Sequence, residues 1–424
     1  MRRFYTLLLY LLLPFILIRL LWRSIRSPAY RRRWPERFGY FPSPEVRGTL
    51  WIHAVSVGEV QAAAPLIKRL LAEHPEYPVV VTTTTPTGSV RVKRLFRDTV
   101  FHVYFPYDIP FAVSGFILRM RPRVLVMIET EIWPNLLAIC TERGIPPILA
   151  NARLSEASAL GYSRLKAFSR ETFSRIALVG AQTDADARRF IDLGVAEKRV
   201  RVTGSIKFDI QLPGSLYEQA EVLRRQWGNR LVWVAASTHE GEDERVLAAH
   251  RSILMSYPEA MLVLVPRHPE RFDKVAGLCQ KGGFSLARRS VGDSCTPSTS
   301  VFLGDTMGEL TLFIAAADVA FVGGSLVPVG GHNILEPAAL GVPTLFGPEM
   351  FNFLEISRMM LEKEAAVQVK DAPEIANWVQ RWFGDAAERT RVGENGRSVV
   401  AENRGALERL YALVSTQLPP PQSG

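Results

Sequence analysis

Cysteine is scarce in this sequence, with three in 424 residues. Cys140, Cys279 and Cys295 stand far apart in no disulfide or metal spacing, which excludes a stapled secreted scaffold and points to a reducing compartment. The seven histidines show no paired ligand spacing either, and nothing in the sequence calls for a metal or a cofactor. The turn after the first strand candidate lacks Gly-x-Gly-x-x-Gly, which argues against a dinucleotide oxidoreductase. No repeat of solenoid period is present. Charge of one sign is also missing from most of the chain. The formal net charge of +9 is concentrated in the first 50 residues, where ten Arg face only Glu36 and Glu45, leaving 41 of the 51 basic and 40 of the 42 acidic residues beyond. A nearly neutral body is not a nucleic-acid-binding surface.

What the amino terminus does hold is an uncharged apolar run over residues 4–18, followed by Arg19 and then Leu20-Leu21-Trp22. It reads as a membrane element, a little short for a span unless Arg19 snorkels and residues 20–22 extend it. The bulky, basic Arg19-Leu20-Leu21-Trp22-Arg23 stands where a cleaved signal would need small residues. Arg23, Arg26 and Arg31 to Arg33 follow closely, so the positive-inside rule leaves the rest of the chain in the cytoplasm, with anionic lipid headgroups against these arginines. Residues 1–33 are therefore expected to be a membrane anchor with its basic flank.

Hydrophobic residues at 47% and charged residues at 22% describe an ordinary folded protein, and the length exceeds one usual core. Short apolar runs at residues 49–55, 79–83, 101–104, 123–128, 147–150, 176–181 and 200–203 alternate with helical stretches such as 62–73. They predict a doubly wound α/β domain over 34–210. Gln211-Leu212-Pro213-Gly214-Ser215 reads as a linker, 211–215. A second alternation at 231–235, 261–265, 300–303, 319–322 and 343–346 predicts another α/β domain over 216–417 that includes a terminal helix near 397–413, able to pack against either domain, with a frayed tail at 418–424. Such sheets bind ligands at the carboxyl ends of their strands, and two of them are expected to face one cleft.

The loops at those ends carry the candidate chemistry. Ser56-Val57-Gly58-Glu59 follows the first strand and precedes a helix beginning near Gln61. Glu59 there either complements the helix dipole or serves as a general base. Glu129-Thr130-Glu131-Ile132-Trp133-Pro134-Asn135 places two carboxylates after another strand; they are expected to point oppositely, one to the cleft and one to cap the next helix, with Trp133 as core packing. Lys207, in Gly204-Ser205-Ile206-Lys207-Phe208-Asp209, is either a cation for the site or an ordinary surface lysine. In the second domain, Ser237-Thr238-His239-Glu240-Gly241-Glu242 and Pro266-Arg267-His268-Pro269 suit anions. Met307-Gly308-Glu309 is a third such loop. Gly323-Gly324-Ser325, continuing to Gly330-Gly331-His332-Asn333-Ile334-Leu335-Glu336-Pro337, permits tight backbone approach to a ligand, and Glu336 suits a ribose diol. Asp184 and Asp186 have the spacing of a metal-binding pair but read better as a helix cap after Thr183.

Together with Thr83-Thr84-Thr85-Pro86-Thr87-Gly88-Ser89, Asn151-Ala152-Arg153-Leu154-Ser155 and Pro266-Arg267-His268-Pro269-Glu270-Arg271-Phe272, these motifs make the chain resemble the 3-deoxy-D-manno-octulosonic acid (Kdo) transferases of lipopolysaccharide assembly over nearly its whole length. The resemblance implies an inverting GT-B enzyme that moves Kdo from CMP-Kdo to the lipid A precursor lipid IVA, at the cytoplasmic face of a Gram-negative inner membrane. Carried over by motif, Glu59 is the proton acceptor and Glu129 and Lys207 assist the transition state. Pro266, Arg267, Met307, Gly308, Glu309, Asn333, Ile334, Leu335 and Glu336 line the CMP site, with no cofactor and no metal.

Overall fold

The structure is a computed structural model that describes residues 1–44 and 48–418. The chain forms two compact units, Met1–Asp209 with Arg404–Gly424, and Ile210–Asn403. In the first, β1 (Thr49–His53), β2 (Val79–Thr83), β3 (Phe101–Tyr104), β4 (Pro122–Ile128), β5 (Pro147–Ala152), β6 (Leu178–Ala181) and β7 (Val200–Val202) form one parallel sheet in the order β3-β2-β1-β4-β5-β6-β7. Runs such as Val79-Val80-Val81-Thr82-Thr83 are buried throughout because helices cover both faces. In the second unit the strands are β8 (Val232–Thr238), β9 (Met261–Pro266), β10 (Leu286–Arg288), β11 (Val301–Leu303), β12 (Val319–Val322), β13 (Thr344–Phe346) and β14 (Ala366–Gln368). Their order is β10-β11-β9-β8-β12-β13-β14, again parallel. The order reverses between β1 and β4 in one sheet and between β8 and β12 in the other, which are the switch points where such sheets take ligands.

The amino-terminal helix α1 (Arg2–Arg26) has 25 residues, so at about 1.5 Å per residue it runs roughly 37 Å, enough for a hydrocarbon core of about 30 Å. It is long and apolar enough to cross a membrane. Phe4, Leu7, Leu11, Phe15 and Ile18 are exposed, whereas the Tyr5 hydroxyl donates to Asp108 Oδ2 (3.0 Å) and Thr6 to Asn135 Oδ1 (2.9 Å), docking one turn of the helix on the first unit. Arg33, expected among the headgroup-facing arginines, is instead turned into the fold. Its Nε donates to Glu36 at 2.6 Å and its Nη2 to the His102 carbonyl at 2.9 Å.

Helix α2 (Val57–Glu73) begins four residues before Gln61, because the Ser56 hydroxyl accepts the Glu59 N–H and caps the helix at that point. Asp186 sits in the expected cap after Thr183, with Oδ1 accepting the Leu154 N–H (2.8 Å) and Oδ2 the Thr183 hydroxyl (2.6 Å).

The carboxyl terminus departs from expectation. Instead of one terminal helix within the 216–417 domain, Ala386–Asn403 ends on the second unit, Gly405 turns at φ 85°, and Ala406–Ser415 packs on the first. Residues 419–424 of the expected tail lie outside the described residues, as do Glu45 and Arg47. Asp209 caps the returning helix, accepting the Gly405 N–H at 2.7 Å and the Leu407 N–H at 2.6 Å. Leu410 and Val414 are fully buried there, and Gly180 makes room for them: a Cβ at that position would stand 2.7 Å from Leu410 Cδ1. Leu410→Ala is therefore expected to destabilise the first unit by about 2–5 kcal/mol, read as a lower midpoint in denaturant unfolding with unchanged slope.

Candidate active site

In the first unit, the loops after β1 and β4 bring three carboxylates together at the switch point. Glu59 stands in the first turn of α2. Its Oε2 accepts the Val55 N–H (2.7 Å) and its Oε1 the Ser56 hydroxyl (3.0 Å), while its own N–H returns to Ser56, so the side chain is fixed by a reciprocal cap. Burial pushes its carboxyl up to about 7, the Val55 N–H opposes the rise, and the negative charge of Glu129 adds to it.

Glu129 adopts the left-handed conformation, φ 61°, as β4 ends. Its Oε1 lies 3.8 Å from Lys207 Nζ, so these two expected residues form a half-buried ion pair beside Glu59. The Lys207 turn is held from below: Asn151, also left-handed at φ 53°, offers its Oδ1 to the Ile206 N–H at 3.1 Å.

Glu131 does not point away as expected: residues two apart on an extended chain share a face, and it lies with Glu129. It faces the same cluster, and its carboxyl is raised to about 7 by burial and then by the charge of Glu59. Trp133 does more than pack: its Nε1 donates to Glu131 Oε2 at 2.8 Å. The cap expected of a Glu on the helix Pro134–Glu142 comes from Asp108, which accepts the Asn135 and Leu136 N–H groups at 3.0 and 2.7 Å. Sequence reasoning also gave no role to His53. Buried at the end of β1, it contacts Thr82 Oγ1 (2.9 Å), and its Nε2 sits 3.9 Å from Glu131 Oε2; burial lowers its pKa to about 3, so it is neutral.

In the second unit, the glycine loop after β12 is already filled. Glu242 is fully buried, and its carboxylate accepts the N–H groups of His239 (2.9 Å), Gly324 (2.7 Å), Ser325 (3.0 Å) and Leu326 (2.9 Å). The amides of Gly324, Ser325 and Leu326 thus bind an internal carboxylate, which ties the β8 loop to the β12 loop. Their union sets His239 Nε2 2.8 Å from His332 Nε2. Both imidazoles are lowered by burial, His332 to about 4, so the pair is neutral with one N–H donating to the other nitrogen.

Pro266 ends β9, and the Arg267 N–H donates to the Thr238 carbonyl at 3.0 Å, leaving an exposed side chain. Arg271 braces that corner through the Thr238 carbonyl and Asp243. Gly308 turns at φ 94° beside exposed Met307, and Glu309 forms a forked pair with Arg289 (Nη2 to Oε1, 2.7 Å), which holds its carboxyl below the usual range. Asn333 Oδ1 accepts the Leu335 N–H at 3.1 Å and its Nδ2 donates to Glu336 Oε1 at 3.0 Å. Ile334 and Leu335 are fully buried, so only their backbone can meet a ligand. Burial raises the Glu336 carboxyl, and the Thr311 side chain, just after the Met307–Glu309 turn, bonds to it. The Met307 and Asn333 loops therefore adjoin, and the charge of Arg267 is felt at His332.

A family model for 3-deoxy-D-manno-octulosonic-acid transferase (kdotransferase) matches residues 32–210. The 3-deoxy-D-manno-octulosonic acid transferase of Haemophilus influenzae is 44% identical over 422 residues, covering 98% of this chain and 99% of its own. The chain belongs to the Kdo transferases. The Kdo transferase of Bordetella pertussis is 38% identical over 428 residues, 96% of this chain and 97% of that one. The C-terminal CMP-Kdo binding domain of WaaA from Acinetobacter baumannii is 40% identical, covering 44% of this chain and 98% of its own, with a TM-score of 0.43. The UDP-GlcNAc 2-epimerase of Neisseria meningitidis, bound to UDP-GlcNAc, aligns over 87% of this chain and all of its own with a TM-score of 0.58 at 14% identity, a likeness of fold. This Kdo transferase thus has the paired doubly wound architecture of the GT-B class.

Proposed function

We propose that this Kdo transferase takes Kdo from CMP-Kdo and attaches it, with inversion, to lipid IVA at the cytoplasmic face of a Gram-negative inner membrane. The observation that carries the reading is Glu59, a fixed carboxylate with a pKa of about 7 beside the Glu129–Lys207 pair. Glu59 takes the proton of the acceptor hydroxyl as its oxygen attacks the anomeric carbon, and the bond from that carbon to the phosphate breaks with its electron pair leaving on CMP. One displacement inverts the centre. Lys207, poised by Glu129, stabilises charge that develops in the transition state. In the second unit, Arg267 and the backbone of the Met307–Glu309 and Asn333–Glu336 loops hold CMP, and Pro266 shapes the turn that presents Arg267. The helix α1 is the anchor, its arginines keep the catalytic units on the cytoplasmic side, and anionic lipids surround them.

The test is one incubation of the full chain with CMP-Kdo and lipid IVA, followed by mass analysis. Lipid IVA heavier by whole Kdo residues is expected; transfer from UDP-sugars but not from CMP-Kdo overturns the reading.

A further inference from the structure

One guanidinium of the first unit is buried with no acid to answer it. Arg37 is 6% exposed; its Nη2 donates to the Thr84 carbonyl at 2.8 Å, its charge lies 4.5 Å from the Tyr104 ring centroid, and its Nε meets no acceptor. Among the described residues no carboxylate stands within ion-pair distance of it. Its neighbour Arg33 is the contrast, for Arg33 is neutralised by Glu36 and donates further to Ser89 Oγ (3.1 Å) and the His102 carbonyl (2.9 Å). The second oxygen of Glu36 is taken by the Tyr104 N–H at 2.9 Å, and His102 is held neutral by burial. The positive charge of Arg37 is therefore what this corner leaves over, and buried charges ordinarily have partners.

The surroundings suit a tetrahedral anion. Helix α3 (Pro86–Phe96) starts at this turn, capped by Thr85 Oγ1, which accepts the Gly88 N–H at 3.1 Å and the Thr87 hydroxyl at 3.3 Å. Thr84 and Thr85 are half-exposed and Thr87 is exposed. The turn is also joined to the proposed base. The Thr84 N–H and hydroxyl both donate to the Val55 carbonyl at 3.2 Å, and the Val55 N–H holds Glu59 Oε2 at 2.7 Å.

We propose that Arg37 and the Thr84–Thr87 turn bind a phosphate monoester carried on the sugar of the acceptor, and so set the acceptor hydroxyl against Glu59. This rests on the acceptor reading given above. The bound anion supplies the counter-charge that Arg37 lacks, and the Val55–Thr84 contact fixes the distance between the phosphate and the base.

Steady-state transfer by the full chain in mixed micelles tests it, with the phosphorylated acceptor and the same acceptor stripped by phosphatase, for wild type, Arg37→Gln and Arg37→Lys. Loss of one charge-assisted contact corresponds to about 10- to 100-fold, so Arg37→Gln should raise KM for the phosphorylated acceptor by that factor. It should leave KM for the stripped acceptor and for CMP-Kdo unchanged, and Arg37→Lys should restore part of the loss. Equal loss on both acceptors would show that Arg37 only braces Thr84, and equal wild-type KM values for both would remove the phosphate site. Weaker binding of Arg37→Gln to phosphatidylglycerol vesicles, with unaltered acceptor KM, would assign the anion to a lipid headgroup and overturn the proposal. No Kdo transfer by wild type to either acceptor would instead defeat the functional reading on which it rests.

Discussion

Glu59→Gln is expected to lower Kdo transfer by about two to four orders of magnitude while CMP binding persists. The amide keeps the size of the side chain and can still take the Ser56 or Val55 hydrogen bond, so what is lost is proton acceptance. The pH dependence adds a second signature. With its carboxyl raised to about 7 by burial, Glu59 is half-protonated near neutrality, so wild-type kcat/KM should rise about tenfold per pH unit up to that point and then level off. The same shift has a cost in stability. A carboxyl whose folded pKa lies above its unfolded value binds protons more tightly when folded, so its favourable contribution is complete below about 4.5 and is lost as pH rises through about 7. Glu59→Gln removes that loss. The variant should melt above wild type at pH 8 and level with it at pH 4, with calorimetry or fluorescence as the readout. A variant both inactive and less stable at pH 8 would mean that the carboxylate is there to cap α2.

Glu242→Ala should be the most damaging single change in the second unit. Four backbone N–H groups converge on that carboxylate, three of them from the loop after β12. Hydrogen bonds to a charged group contribute about 1.5–3 kcal/mol each, and removing a buried acceptor leaves its donors unpaired, so a combined loss above about 4 kcal/mol is expected. For a unit of this size that is roughly 8 °C or more in melting temperature. Glu242→Gln should fare little better, because its NH2 group turns two donors toward other donors. CMP binding should disappear with either change, since Asn333 and Glu336 follow the loop that Glu242 holds. Thermal unfolding with titration of CMP checks both. Retained CMP affinity in Glu242→Ala would show that the loop is shaped without its internal anion.

Much of this architecture was legible in the sequence, for a physical reason. Parallel strands covered on both faces are apolar throughout, so runs such as residues 79–83 and 319–322 stand out. The strands that escaped notice, Leu286–Arg288 and Ala366–Gln368, are three-residue edges, where half-exposure admits Arg and Gln. Glu59 stood out in the sequence by its place between the first strand and a helix start, but its role came from the family motifs and not from its spacing. Glu131 was misjudged because positions two apart on an extended chain share a face, so the period of two places it with Glu129 and not opposite. The role of Glu242 could not be seen: three of its four amide partners lie 82 to 84 residues away, and no spacing rule joins a carboxylate to amides at that distance. Nor do composition and spacing name Kdo; kinship of sequence does.

The return of the chain to the first unit bears on how the protein is made. Asp209 meets Gly405 and Leu407 across 196 and 198 residues, and Leu410 and Val414 complete a core begun near residue 50. A ribosome working from the amino terminus delivers the missing piece of the first unit last, after all of Ile210–Asn403 has emerged. The unit that carries Glu59 must therefore wait, with one face of its sheet unfinished, until residues 404–415 have been made.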